Sequence, residues 1–444
     1  MRKLYNKFCD LKTWKKASVL FLLFFTIRFI FGICSEFWFD DEVQIYLIGV
    51  KFHAGGHWPF FGPDVIYTNS QIPGALQGLL VGIPFYILPI PESPYILLNL
   101  LSFFSLFLLG FYIKKYLTPA IPEWFLWVWI FTAPWVMNFS THIVNPSYVL
   151  PAAILFFVSF LETIPAFRKN FLNYNLSFLF MGFSLLWIFQ LHMSWILLIP
   201  FIFVAFFYAL RKGVRRLSVS ALLFLAGCLI SGIFVIPTFL KFGFSSVSGG
   251  GTSSNVVLNL SNAAEIFNVI IRLLSLASFE ISKFTGCNTK ERVQFLTENI
   301  WAAPFILFAI IIGFIQIFWM VFSFFRKYDI VEWKAIKKLM IFAILVTFIS
   351  FLFSVKGPST HTFYLMLPLM MIYSFYCWQR LLKPKWLKII AVIFLFSNLM
   401  FHLSLTLHNY KFHSMYKNRK SPLEAIQTKN FYALGNRRNF DKNQ

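Results

Sequence analysis

Runs of roughly 17 to 25 apolar residues recur along this chain from Val19 to Leu407, and a segment of that length suits a bilayer-crossing helix. In hydrocarbon a helix satisfies its own backbone hydrogen bonds, so such runs count spans rather than soluble domains. Composition agrees. Of 444 residues, 58% are hydrophobic and only 13% charged, where a soluble domain carries about 25% charged residues. The chain reads as an all-α, polytopic integral membrane protein.

Lys and Arg number 39 against 17 Asp and Glu, a net charge of +22. In a soluble protein this would suggest nucleic acid. Here the bases sit in short clusters between apolar runs, such as Arg211, Lys212, Arg215 and Arg216, which is how a polytopic protein is held in orientation. No nucleic-acid partner is expected, and anionic membrane lipid suits the basic side. The five cysteines (Cys9, Cys34, Cys228, Cys287 and Cys377) show no CxxC spacing, so neither a disulfide framework nor a zinc site is indicated. Lys15 and Lys16 precede an apolar stretch to Ile33 that contains Arg28 and has no small-residue cleavage site after it. It reads as a retained first span rather than a signal peptide.

Twelve apolar segments can be drawn, roughly 17–34, 72–89, 95–113, 120–138, 147–163, 173–189, 194–210, 217–239, 301–325, 339–356, 361–379 and 386–407. With a cytoplasmic N-terminus and all twelve crossing, the early basic clusters would fall outside, against the positive-inside tendency. Demoting 72–89 repairs this. That segment holds Pro73, Gly74, Gly78, Gly82 and Pro84 and has poor helix propensity throughout. It is expected to be juxtamembrane or re-entrant, leaving about eleven transmembrane helices. The clusters at 114–115, 168–169, 211–216, 326–338 and 380–388 are then cytoplasmic. A single transmembrane domain over 1–407 would carry a first outer loop at 34–94 and a large one at 241–300, followed by a basic tail, 408–444, on the outer side. All eight histidines (His53, His57, His142, His192, His361, His402, His408 and His413) are expected on that side or at outer helix ends.

Long loops in a compact protein are usually functional or disordered. Ser245 to Asn255, with Gly249, Gly250 and Gly251, reads as a flap and lacks the Lys-Ser/Thr of a P-loop. After it, Asn262 with Glu265 marks a helix start, and Phe267, Ile270, Leu274, Ala277 and Ile281 recur at helical spacing, which predicts an interfacial amphipathic helix with its apolar side to lipid or to the bundle. The phenylalanine enrichment reads as lipid-facing bulk.

Asp40, Asp41 and Glu42 are three consecutive acids in an acid-poor chain, placed where the first span leaves the bilayer. Val43, Leu47, Val50 and Ala54 follow at helical spacing, so Asp41 and Glu42 belong to the first turn of a surface helix, where the ionised carboxylate is favoured. Such a group can take the proton of a sugar or amine acceptor or orient it; the same pattern also suits a simple helix cap with solvated charge. Arg28 lies within the first span, and snorkelling outward would bring it under the cluster.

The order of Arg28, Asp41-Glu42 with Tyr46, Gly55-Gly56-His57-Trp58-Pro59 and Pro73-Gly74-Ala75-Leu76 resembles the first outer loop of GT-C glycosyltransferases. It is most similar to the bacterial branch grouped with protein O-mannosyltransferases and lipid A aminoarabinose transferases. Asn145-Pro146, Gln190-Leu191-His192 and His361 to Pro368 extend the resemblance over about residues 17 to 370, though only the Asp41 region is specific. It implies an inverting enzyme that moves a sugar from a polyprenyl-phosphate carrier to a glycan, lipid or protein acceptor on the extracytoplasmic face, with Asp41 as base and Glu42 beside it. The family's second acidic position is matched by Asn145, and its Lys-Pro-Pro pattern is replaced by Ser70, Gln71, Ile72 and Pro73. The first departure argues against a tightly held divalent metal, and no cofactor is expected.

The departing phosphate still needs fixed positive groups. Lys356 and His361 are the first candidates, His192 and His142 the second. Asp40, Asn145 and Arg28 are candidates for positioning donor or acceptor, with Tyr364, which also reads as packing. A transporter or flippase would show repeated halves and ionisable or broken helices at the midplane. A polymerase or ligase would be expected to use an Arg-rich outer loop, whereas 241–300 holds only Arg272 and Arg292.

Overall fold

The computed structural model describes residues 11–434 except 37, 39, 66–69, 244–255, 287, 329–330 and 413, and not the side chains of Asp40, Asp41, Val331 and Phe412. The expected flap at 245–255, Cys9, Cys287 and His413 lie outside the described residues.

The first span, α1 (Thr13–Ser35), leads into α2 (Asp40–Gly55), a short antiparallel ribbon of β1 (Phe61–Val65) and β2 (Ser70–Pro73), and α3 (Leu76–Ile87). The ribbon, with Phe61 opposite Pro73 and Val65 opposite Ser70, is the described exception to an all-α fold. Helix α3 has 12 residues; at about 1.5 Å per residue it falls well short of a hydrocarbon core of about 30 Å. It packs along α2 instead. A Cβ on Gly49 would lie 2.5 Å from Val81 Cγ1, and one on Gly82 2.6 Å from Gly49 O. The glycines that weaken 72–89 as a span therefore allow this close pairing.

The bundle continues with α4 (Ser93–Leu117), α5 (Glu123–Thr132), α6 (Pro134–Ser140), α7 (Val149–Thr163), α8 (Tyr174–Phe189), α9 (Met193–Leu210), α10 (Val214–Gly232) and α11 (Ile236–Phe242). After the second loop, α12 (Ile266–Ser275) and α13 (Thr289–Glu298), come α14 (Ile300–Phe325), α15 (Val331–Leu352), α16 (Leu367–Leu381) and α17 (Lys385–Phe412), then α18 (Lys420–Gln427) in the tail.

Seven described helices, α1, α4, α9, α10, α14, α15 and α17, are long and apolar enough to cross a membrane. The other expected spans correspond to α5–α6, broken at Ala133–Pro134, and to α7, α8 and α16, which have 15 to 16 residues each. Nearly every residue of α7 and α16 is buried, the mark of a helix enclosed by others rather than by lipid. The phenylalanines divide in the same way. Phe314, Phe318 and Phe325 face outward, but Phe125, Phe131, Phe157, Phe160 and Phe201 are wholly buried, so lipid-facing bulk is only part of their role.

Several of the expected basic clusters are tied to neighbouring helices. Lys16 pairs with Glu123 at 2.7 Å, Lys169 with Glu332 at 2.5 Å, and Arg216 lies 4.4 Å over the Tyr174 ring. The second loop departs from expectation. Residues 260–265 form a 3-10 turn capped by Asn259, while Asn262 donates to Phe351 O at 2.8 Å. Helix α12 then stops at Ser275 because Leu276 and Ala277 adopt left-handed backbone. Its buried face is Val269, Arg272, Leu273 and Leu274, turned into the bundle, and Phe267 is exposed.

Candidate active site at the polar end of the bundle

The last two residues of α6 and the turn that follows, residues 139–145 together, run along the last turns of α1 and touch several of the polar groups at this end. Phe139 packs against the His361 and Tyr364 rings, at 6.4 and 5.4 Å between centroids. Ser140 accepts from Arg28 Nη2 at its Oγ (2.7 Å) and its carbonyl (3.1 Å). Thr141 O lies 2.5 Å from where a Cβ on Gly32 would stand. His142 Nε2 pairs with Ser35 Oγ at 2.7 Å, and Ile143 N donates to Glu36 Oε2 at 2.9 Å.

The acidic cluster opens α2, so Asp40, Asp41 and Glu42 all occupy its first turn; the side chains of the two aspartates are outside the description. Val43, Leu47 and Val50 bury the inner face that fixes this helix. Glu42 is half-buried and close enough to Glu36 to disfavour its ionisation. Glu36 itself is wholly buried, beside the Tyr95 hydroxyl, and burial first, then Glu42, holds its carboxyl well above the usual range. Tyr46 donates to Pro91 O at 2.9 Å, and Tyr148 to Pro94 O at 3.0 Å. Sequence reasoning missed Glu36, because a single acid ending an apolar run looks like a solvated interface charge. Its one signal was its place beside a second acidic group only a few residues on.

The cationic groups come from three elements. His192 opens the 3-10 turn that starts α9: its Nδ1 accepts from Ser194 N at 3.1 Å and pairs with Ser194 Oγ at 2.7 Å. Its ring meets His361 edge to face at 6.4 Å. His361 is solvent-accessible although protein surrounds it on most sides, as in a recess. Desolvation, then the charges of Arg272 and Lys356, bring its imidazole down to about 4, and burial brings those of His192 and His142 down to about 3. These histidines are neutral at pH 7, so they offer hydrogen bonds rather than charge. The charge resides on Lys356, exposed, and on Arg272. Arg272 is buried, with Nε donating to Glu280 at 2.7 Å and Nη1 to Pro358 O at 2.5 Å. Sequence reasoning left Arg272 out of the site; a cation among the apolar positions of an amphipathic helix was the available signal.

Three expectations change. Arg28 does not rise toward the acids. It lies wholly buried, turned sideways to Phe131 O at 3.0 Å and to Ser140, while His402 Nε2 reaches Thr132 O at 3.0 Å. The Ala133–Pro134 break interrupts the α5–α6 ladder and leaves carbonyls without helical donors, and these two side chains occupy them. His402 is accordingly internal to α17, not at a helix end. His142 is stacked on Phe31 at 5.2 Å and turned to Ser35, which makes it a fastening of the turn rather than a cation. Asn145 follows on the same turn with its Oδ1 buried and unbonded among the described residues. Tyr364 is wholly buried against Trp135 and Phe139. Among the described residues no group of three or more His, Cys, Asp or Glu could hold a metal. Two recesses lie elsewhere, one around Lys16, Phe107, Lys114 and Trp127, the other between Glu298, Asn299, His408 and Lys411.

No protein-family model matches the chain, and no curated protein does. Among solved structures the chain is similar to ArnT from Cupriavidus metallidurans, in a crystal structure bound to undecaprenyl phosphate, at 10% sequence identity and a TM-score of 0.49, covering 93% of this chain and 77% of that one.

Proposed function

We propose that this integral membrane protein is a GT-C-type glycosyltransferase, moving a sugar from a polyprenyl-phosphate donor to an acceptor at the extracytoplasmic face. The observation that carries the reading is the 139–145 turn: it contacts Glu36 beside the acidic turn of α2 on one side and His361, with Lys356 and Arg272 near it, on the other. An acid and an anion site brought to one end of a bundle suit transfer from a lipid phosphate.

In this reading Asp41 takes the proton of the acceptor hydroxyl or amine. The acceptor then attacks the anomeric carbon opposite the phosphate, the carbon–oxygen bond breaks with inversion, and its electron pair leaves on the polyprenyl phosphate. Lys356 and Arg272 stabilise that developing charge, and neutral His361 and His192 donate hydrogen bonds to it. The Arg28 and His402 side chains occupy carbonyls at a helix break, which weighs against a midplane transport site.

The test uses proteoliposomes containing a panel of polyprenyl-phosphate sugars and envelope lipid and glycan extracts. Transfer by the parent and its loss in folded Asp41→Asn is the expected result; undiminished turnover in that variant removes Asp41 as base. A reporter fused after Arg216 is expected to read cytoplasmic and one inserted at residue 249 to read outside. The opposite pattern overturns the assigned face.

A further inference from the structure

We propose that Glu36 is a positioning residue of the transfer site, the joint that registers the 139–145 turn against the acidic first turn of α2. The inference rests on the transferase reading above. Glu36 Oε2 receives the Ile143 amide at 2.9 Å, and the preceding residue, His142, is fastened to Ser35 at 2.7 Å. Ser35 is held in turn through its carbonyl, which accepts from Asn409 Nδ2 at 2.6 Å. Two neighbouring residues at the end of α1 thus grip two neighbouring residues of the turn. Phe139, three residues before His142 in the sequence, reaches the His361 ring. Slack at this joint would move the acidic helix relative to the phosphate-binding groups.

The chemistry around Glu36 suits a joint and not a base. The groups facing it are the Ile143 amide, the Tyr95 hydroxyl of α4, Glu42 and Tyr46 of α2, and Tyr148 at the start of α7. None of these described groups is a cation, and Glu92 and Arg419, beyond Tyr46, are paired with each other. Two carboxyl groups at close quarters resist ionising together. Glu36, wholly buried and next to Glu42, is pushed toward the protonated form. Glutamine reproduces the neutral acid: its carbonyl can accept from Ile143, and its amide can donate to the Tyr95 oxygen. Leucine does neither.

The experiment compares Glu36→Gln and Glu36→Leu with the parent in the same proteoliposomes, reading folded yield, kcat per folded molecule, donor KM and the pH profile. Infrared spectroscopy follows the carbonyl stretch of a protonated carboxyl at neutral pH. The expected result is that Glu36→Gln loses the infrared band, stays within about threefold of parental kcat and keeps the acid limb of the profile. Glu36→Leu is expected to fold yet lose on the order of 100-fold in kcat, the size of effect a small misplacement produces. An inactive but folded Glu36→Gln overturns the proposal, because the group then acts ionised. Parental kcat per folded molecule in Glu36→Leu also overturns it, because the role is then structural only. A parent that transfers no sugar overturns the functional reading itself, while the presence or absence of the infrared band still decides whether Glu36 holds its proton.

Discussion

Arg419 grips Glu92 with two nitrogens, Nη2 at 3.1 Å from Oε2 and Nε on the other oxygen, joining positions 327 residues apart in the chain. Around this pair the C-terminal segment is fastened at several further points. Tyr416 N donates to Ile33 O at 3.3 Å, and Lys51 lies 5.3 Å over the Phe431 ring. The expected boundary at 407 falls inside α17, and residues 414–434 pack against α2, the helix that carries the acidic cluster.

Arg419→Ala is expected to loosen this strap. The arginine is 34% exposed, so solvent screens the pair, and the loss is about 1 kcal/mol. Limited proteolysis should cut within 414–434 faster, and Glu92→Ala with Arg419→Ala should cost less than the sum of the two singles. Unchanged cleavage would show that the strap holds without the pair.

Lys356→Ala and Arg272→Gln are expected to weaken donor use by different routes. Lys356 is exposed and charged, and its removal should raise the donor KM by about tenfold with a smaller change in kcat. Arg272 is buried and tied to Glu280, so its loss leaves that carboxylate with Lys283 on one oxygen and a bare second oxygen; it should lower kcat and the thermal midpoint together. Steady-state kinetics against donor concentration separates the two, and equal kinetics in all three proteins would remove the phosphate role.

Acid should destabilise the fold through its buried imidazoles. His142 and His192 are held neutral down to about pH 3 in the native state, whereas the unfolded chain protonates them near 6.5. Between those values the unfolded state binds more protons, so this stability is complete above pH 6.5 and falls as pH drops. At pH 5 the loss is on the order of 2 kcal/mol per histidine. Thermal unfolding between pH 7 and 4.5 should show it, and His192→Gln should flatten the slope.

Arg28→Leu removes the donor to Phe131 O and Ser140 at the α5–α6 break. Each stranded buried carbonyl costs about 1–3 kcal/mol. The expected result is a lower thermal midpoint and poor recovery of folded protein. Arg28→Lys should not restore it, since one ammonium cannot reproduce the planar fork. Full stability in Arg28→Leu would mean the break is held by other contacts.

The apolar spans and the helix opening at the acidic cluster were legible in the sequence, because each depends on local quantities. Apolar length sets which segments prefer hydrocarbon, charge clusters set which ends stay in water, and the proline and glycine content of 72–89 already spoke against a crossing helix. The partners of Glu36, Arg28 and Arg272 were not legible. Their burial is created by Ile143, by Ser140 and by Pro358, which stand 107, 112 and 86 positions away. The same side chains would read as solvated or snorkelling charges from their neighbours alone. Local pattern determines where a segment lies relative to the membrane, while the charge state and role of an ionisable group depend on which distant backbone donors and acceptors the folded bundle places against it, and only the tertiary structure decided that.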